Sequence, residues 1–254
     1  MIALLGNLSR DFFPGEPPRG GGAPFHAARA LRHLHVHARI YARCAPADRD
    51  ELLQPVVALG TPVQYVPGTA TASFEIAYDG DRRRMRLVAL GDTWLPGDLP
   101  ALPGSSRWIH VAPLARSDFP AETLAAVAQG RRLSLDGQGL VRPARTGELE
   151  LDADYDPELL RHVWVLKLSD EEAALLGDPA RLPVREVLVT HGSNGATVYA
   201  RGRVEHVPAS AIGADPTGAG DGFCISYIAA RAAGFAPVAA ARRATAVVAS
   251  MLAE

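Results

Sequence analysis

The chain has two cysteines in 254 residues, Cys44 and Cys224, far apart and with no C-x-x-C partner for either. That excludes a disulfide framework or a clustered-cysteine zinc site, and it points to the cytoplasm. Long runs of one charge are missing as well. Twenty-six Lys and Arg stand against 28 Asp and Glu, a formal net charge of -2 with no block of either sign, so neither a nucleic-acid partner nor a membrane surface is expected. No apolar run is long enough to span a bilayer. The most apolar segment, VAAARRATAVVASMLA at 238–253, carries Arg242 and Arg243 at its centre and reads as a helix packed on a core. The amino terminus, MIALLGNLSRD, has no basic region ahead of its apolar residues and reads as a first strand, not an export signal. There is no internal repeat, and the 20 prolines are dispersed, so no disordered linker stands out. G-x-G-x-x-G does not follow the first strand, and G-x-x-x-x-G-K-[ST] is absent, which argues against a dinucleotide-dependent oxidoreductase and a P-loop enzyme.

What is present is an alternation of short β-like runs with helical patterns. IALLG precedes APFHAARALRHL, VHARIYA precedes DRDELLQPVVAL, WIHVAPL precedes PAETLAAVAQ, and HVWVLKLS precedes DEEAALLG; RRLSLD and EVLVTHG complete the set. Nearly all-apolar strands separated by helix-sized spacers predict an α/β, doubly wound domain with a mostly parallel sheet covered on both faces. The length suits one domain over 1–254. Between about 61 and 92 the pattern alternates without a helix, with Asp79-Gly80 as a hairpin turn, and predicts a β insertion. Its Phe74, Ile76 and Tyr78 either line the sheet or cover a pocket or a second subunit.

The stretch ADPTGAGDGF at 214–223 runs into the apolar FCISYIAARAAG. Asp215-Pro216 sets an extended turn, and Thr217 suits the N-cap of a helix starting near 218. Capping does not explain Gly218-Ala219-Gly220-Asp221, because glycine in a first helical turn costs roughly 1 kcal/mol relative to alanine. Free backbone N–H groups with glycines beside them form a cradle for phosphate oxygens, and an acid at its rim acts as a base toward a hydroxyl nucleophile.

DPTGAGDGFCISYI resembles the carboxy-terminal signature of the ribokinase-like (PfkB) carbohydrate and nucleoside kinases, and the resemblance extends over essentially the whole chain. It implies the ribokinase-like fold with a small β-sheet lid, ATP and Mg2+ as cofactors, and a small sugar, polyol or nucleoside as substrate. By the family pattern Asp221 is the catalytic base, and Thr217, Gly218, Ala219 and Gly220 form the anion hole for the transferred group. Phosphoryl transfer fits such a site, needing positioning and charge stabilisation more than covalent help. GGGAPFHAARAL at 20–31 is similar to the first signature, which puts Gly21, Gly22 and His26 beside the substrate; His26 stands where the family usually has Asn and is either a substrate contact or a helix-surface residue. LLGNLSRD places Asp11 where the family grips substrate hydroxyls, and a carboxylate accepts from two of them at once. LKLSDEEAALLG resembles the Asn-x-x-Glu segment, with Ser169 for the asparagine and Glu172 acting on Mg2+ through water. VLVTHGSNGATVYA looks like the nucleotide-side turn, placing Thr190, Gly192 and Gly195 near ATP. The resemblance also implies a homodimer through the lid.

Other features carry less. His33, His35 and His37 straddle a helix-to-strand boundary and would not converge on a metal. Arg82, Arg83, Arg84 and Arg86 form a solvated face from which one arginine would reach phosphate across a closed lid. DGQG at 136–139 ends a strand at the edge where α/β sheets bind ligands. The leading reading is an ATP-dependent kinase of a sugar or related polyol. Its alternatives are a nucleoside kinase of the same family and a non-catalytic ligand-binding member, the latter prompted by Ser169 and His26.

Overall fold

The computed structural model describes residues 1–79, 82–209 and 216–253, with the backbone alone at 79, 82 and 83. In chain order the elements are β1 (Ile2–Asn7), β2 (Ser9–Phe12), β3 (Arg19–Gly21), α1 (Ala23–Arg32), β4 (Ala38–Cys44), α2 (Arg49–Ala58), β5 (Val63–Pro67), β6 (Ala72–Asp79) and β7 (Arg82–Ala89). They continue with β8 (Trp108–Ala112), α3 (Ala121–Ala128), β9 (Arg132–Asp136), α4 (Gln138–Val141), β10 (Gly147–Glu148), β11 (Val163–Ser169) and α5 (Asp170–Leu176). The last are β12 (Glu186–Thr190), β13 (Ala196–Ala200), β14 (Arg203–Val207), α6 (Ala219–Ala232) and α7 (Pro237–Leu252).

The large sheet has the order β14-β13-β12-β11-β9-β8-β1-β4-β5 and is parallel from β12 to β5, with β13 and β14 antiparallel at one edge. Its central strands, such as β1 and β8, are mostly apolar and buried because both faces are covered. Along β1, Ile2 and Leu4 enter a core with α1, α6 and α7, while Ala3 and Leu5 enter the opposite core with α3 and α4. From β1 the chain builds toward β4 and β5 on one side and, after β8, toward β9, β11 and β12 on the other. The crevice at the carboxyl ends of β1 and β8 is therefore the switch point where doubly wound sheets bind ligands.

A second sheet, β10-β7-β6-β2-β3, stands beside that crevice. The expected insertion at 61–92 is thus both smaller and larger than its sequence suggests. β5 pairs in parallel with β4 and belongs to the large sheet, whereas β2 and β3 from the first 21 residues join β6 and β7. Alternation alone does not say which sheet a strand joins; that depends on the partner across it. Asp11 accordingly lies on β2, in the small sheet, and not at the end of the first strand. Phe74 and Ile76 are buried in a third apolar cluster with Ala72, Leu87 and Leu114, while Tyr78 is 54% exposed. The turn expected at Asp79-Gly80 involves Gly80, which lies outside the described residues, but the Asp79–Arg82 pairing shows β6 and β7 to be antiparallel neighbours.

Helix α6 runs through the core, with Gly222 to Ala230 all buried. A helix buried on every side needs a polar anchor to fix its rotation, and Glu186 at the start of β12 supplies one. It accepts from the Tyr227 hydroxyl at 2.6 Å and from the Arg231 guanidinium at 2.6 and 3.0 Å. Removing one partner of such a buried pair strands the other charge and typically costs 3–5 kcal/mol. Arg231→Met should therefore lower stability by about 3–5 kcal/mol, read as a shifted urea midpoint with an unchanged slope.

Asp118, in the loop after β8, is fully buried and accepts the Leu114 N–H at 2.8 Å. Burial pushes its carboxyl from 3.8 up to about 6, against the pull of its backbone hydrogen bonds. The ionised form is thus disfavoured by the fold. This group costs nothing below about pH 4, erodes stability as pH rises toward 6, and exacts its full cost above that. Asp118→Asn should match the wild type near pH 4 and exceed it by up to about 3 kcal/mol at pH 7. A difference that shrinks with rising pH would contradict this.

Candidate active site

Thr217 does not cap α6. The N-cap is Gly218, with φ of +80°, which has no side chain of its own to close the helix start. The Ala219 N–H donates to the Pro216 carbonyl at 2.9 Å; the first-turn N–H groups of a helix have no partners within it, so this end still presents the positive end of the helix dipole. Residues 210–215, including Asp215 of the expected turn, lie outside the described residues.

The uncapped end is a wall between two cavities. On one side Thr217, Gly218 and Asp221 face Ser9, Asp11, Gly22, His26, Phe74, Gln138 and Arg142 around a cavity of about 70 Å3. On the other, Ala219 and Gly220 face Lys167, Ser169, Thr190, Gly192 and Gly195 around a cavity of about 450 Å3, with Val248, Ala249 and Leu252 of α7 as an apolar floor. The residues expected near substrate and those expected near the nucleotide are thus gathered separately, one group on each side of α6. Gly21 and Glu172 line neither cavity. Gly21 lies behind Asp11, whose carboxylate a side chain there would overlap.

In the smaller cavity Asp11 is oriented by the Ser9 hydroxyl, which donates to Oδ1 at 2.8 Å. His26 packs its ring against the backbone of Gly218, where a Cβ would overlap the imidazole. The expected Asn position is therefore filled by a ring that also shapes the start of α6. Gln138 belongs to the DGQG segment expected at the ligand-binding edge, whereas nothing in the sequence marks Arg142. Gln138 opens α4 immediately after β9, and the Arg142 guanidinium lies 6.0 Å from the Phe74 ring centre.

In the larger cavity Ser169 explains itself. It is the N-cap of α5 in a capping box: its hydroxyl accepts from the Glu172 N–H at 3.3 Å, and Glu172 Oε2 accepts from the Ser169 N–H at 2.8 Å. Burial raises the Glu172 carboxyl above the ordinary range, opposed by the nearby Lys167 ammonium. A carboxyl so engaged fits a metal only through intervening water, and among the described residues no cluster of three metal-ligating side chains occurs. At the cavity wall Asp170 pairs with His191 Nδ1, whose Nε2 meets Thr197 Oγ1 at 2.8 Å, tying α5 to the β12–β13 turn.

Beneath the helix start, His110, Ser134 and Cys224 form a buried polar group. Burial lowers His110 to about 4 and pushes the Cys224 thiol up to about 12, so neither supplies a base or a thiolate at neutral pH.

The left-handed backbone at Gly218 and the His26 ring against it leave no room for a side chain. Gly218→Ala should displace either the ring or the helix start and disturb both cavities. We expect weaker ligand binding in both cavities, with loss of about 1–3 kcal/mol of stability. Normal binding in both by titration calorimetry would show that neither the ring nor the helix start has moved.

Residues 101–253 match the model of the pfkB family of carbohydrate kinases. A fructokinase from Klebsiella pneumoniae is 30% identical over 264 residues, 91% of this chain and 84% of its own length. An inositol 3-kinase from Zea mays is 30% identical over 236 residues, 89% of this chain and 58% of its own length. A solved pyrophosphate-dependent kinase in the ribokinase family, complexed with a pyrophosphate analog and myo-inositol, has the same fold. It aligns with 100% of this chain and 96% of its own with a TM-score of 0.86, at 22% identity. A family match over residues 101–253 and a fructokinase alike across nearly the whole length have one meaning: the chain belongs to the pfkB family of carbohydrate kinases.

Proposed function

We propose that the protein transfers the γ-phosphoryl group of ATP to a hydroxyl of a sugar or related polyol, with Asp221 as general base. The single observation behind this is the shared wall at the start of α6, with Asp221 and Gly218 toward the smaller cavity and Ala219 and Gly220 toward the larger. An acceptor hydroxyl in the first cavity and a phosphate in the second meet only there. Asp11 accepts from acceptor hydroxyls, Asp221 takes the proton of the attacking one, and the backbone N–H groups at the start of α6, apart from that of Ala219, which donates to the Pro216 carbonyl at 2.9 Å, receive the oxygens of the group in transfer. Mg2+, carried by the donor's phosphates, would neutralise their charge, and Glu172 would meet it through water.

The names of the relatives, fructokinase and inositol 3-kinase, favour ring-sized polyhydroxylated acceptors. Pyrophosphate is the second donor to weigh, because a structural neighbour uses it. The floor of Val248, Ala249 and Leu252 favours ATP, since an apolar surface beside Gly192 and Gly195 accommodates a base that pyrophosphate lacks. The small sheet acts as a lid that keeps water from the donor, and exposed Tyr78 is the place for two copies to meet through it. A cytoplasmic setting, with ATP at hand and both buried cysteines reduced, suits this reading.

A screen of sugars, inositols and nucleosides with Mg2+ and either ATP or pyrophosphate tests the assignment. Asp221→Asn should lower kcat by about 10²- to 10⁴-fold with little change in KM for ATP, while Asp11→Ala should raise KM for the acceptor alone. Near-normal turnover in folded Asp221→Asn would remove the mechanism.

A further inference from the structure

Strand β11, VWVLKLS, carries a single charged residue, Lys167, whose side chain is 6% exposed. Its partner is Asp136 at the end of β9, Nζ to Oδ2 3.3 Å, with the Asp136 side chain 1% exposed. Two charges taken out of water are a poor way to stabilise a sheet, because an apolar pair of similar volume usually does as well or better. The pair therefore calls for a reason other than folding.

Its position supplies one. Lys167 lies at the carboxyl edge of the sheet and lines the larger cavity with Ser169, Thr190, Ala219 and Gly220. A Cβ built on Gly220 would stand 3.2 Å from Nζ, so the ammonium lies against the first turn of α6, and it is glycine there that leaves it room. Burial pulls the ammonium toward neutrality, but the fields of Asp136, Glu172 and Asp221 outweigh it and hold the group above the ordinary lysine range. The cation is permanent. It sits on the donor side of the wall, where a polyphosphate arriving among three acidic groups needs an opposing charge.

We propose that Lys167 is a catalytic residue whose ammonium contacts the oxygens of the phosphoryl group during transfer. This rests on the kinase reading above. The bond from the transferred phosphorus to the donor's bridging oxygen breaks, and its electron pair stays on that oxygen. A bond forms to the acceptor oxygen, whose proton passes to the Asp221 carboxylate. Lys167 gives up no proton and contributes charge at a fixed point, a role suited to a compact ammonium.

The test must separate this from a merely structural ion pair. Lys167→Met leaves Asp136 buried without its partner and is expected to be unstable, so the decisive variant is Lys167→Met with Asp136→Asn, which removes both charges at near-constant volume. Circular dichroism should show it folded. Its kcat should fall by about 10²–10³-fold, the usual effect of deleting one donor to a developing oxyanion, with KM for the acceptor little changed. Titration calorimetry should also find inorganic pyrophosphate bound at least about tenfold more weakly. Turnover within tenfold of the wild type, with pyrophosphate affinity retained, overturns the proposal. If the double variant does not fold, Lys167→Arg decides: it keeps the ion pair, but its longer head meets the helix at Gly220, so turnover should drop at least about tenfold, and unchanged turnover would leave Lys167 a structural residue. If the wild type itself transfers no phosphoryl group to any acceptor, the kinase reading fails, and the pyrophosphate titration alone then judges whether Lys167 holds phosphate.

Discussion

Everything about the site depends on leaving the start of a buried helix uncapped. An uncapped amino end keeps its N–H groups and the positive end of the dipole available, and burial of the helix body holds that end still. The two requirements pull in opposite directions, since Gly218 and Gly220 weaken the first turn. The deficit is made up further along, where Gly222 to Ala230 are buried and Glu186 locks Tyr227 and Arg231. The chemistry sits at the weak end and the stability at the strong end of one element.

The two sheets divide the remaining work. The large sheet delivers residues to the larger cavity from the carboxyl ends of β11 and β12, and the small sheet delivers Ser9, Asp11, Phe74 and Met85 to the smaller one. Because β2 follows β1 directly at the switch point, the two sheets meet where the cavities meet. The join is tied by Asn7, which accepts from Trp94 Nε1 at 2.8 Å and donates to the Asp92 carbonyl at 3.0 Å.

The departures from the family pattern have local explanations. Ser169 is a better N-cap than most residues and forms the capping box that holds Glu172 in place. His26 fills the space against Gly218, which links α1 to the start of α6. Neither change disturbs Asp221 or the glycines beside it, so the wall between the cavities is kept.

By itself the sequence determined what is local. Apolar runs at helix-sized spacing marked a parallel sheet covered on both faces, and glycines followed by an acid before an apolar helix marked an anion-binding start. It also separated the candidates into two groups, Asp11 with His26 and Thr190 with Gly195, though only through a family likeness. The tertiary structure decided what depends on long-range pairing. It placed β5 in the large sheet and β2 in the small one, turned Tyr78 outward while burying Phe74 and Ile76, and aimed neighbouring glycines 218 and 220 into different cavities. It also brought in Arg142 and Lys167. Of these, Lys167 left a trace in the sequence, a lone charge in an apolar strand. Its meaning stayed hidden because a periodicity records which face a residue takes, whereas the partner across that face, here Asp136 from β9 and Gly220 from α6, comes from chain more than 30 residues away.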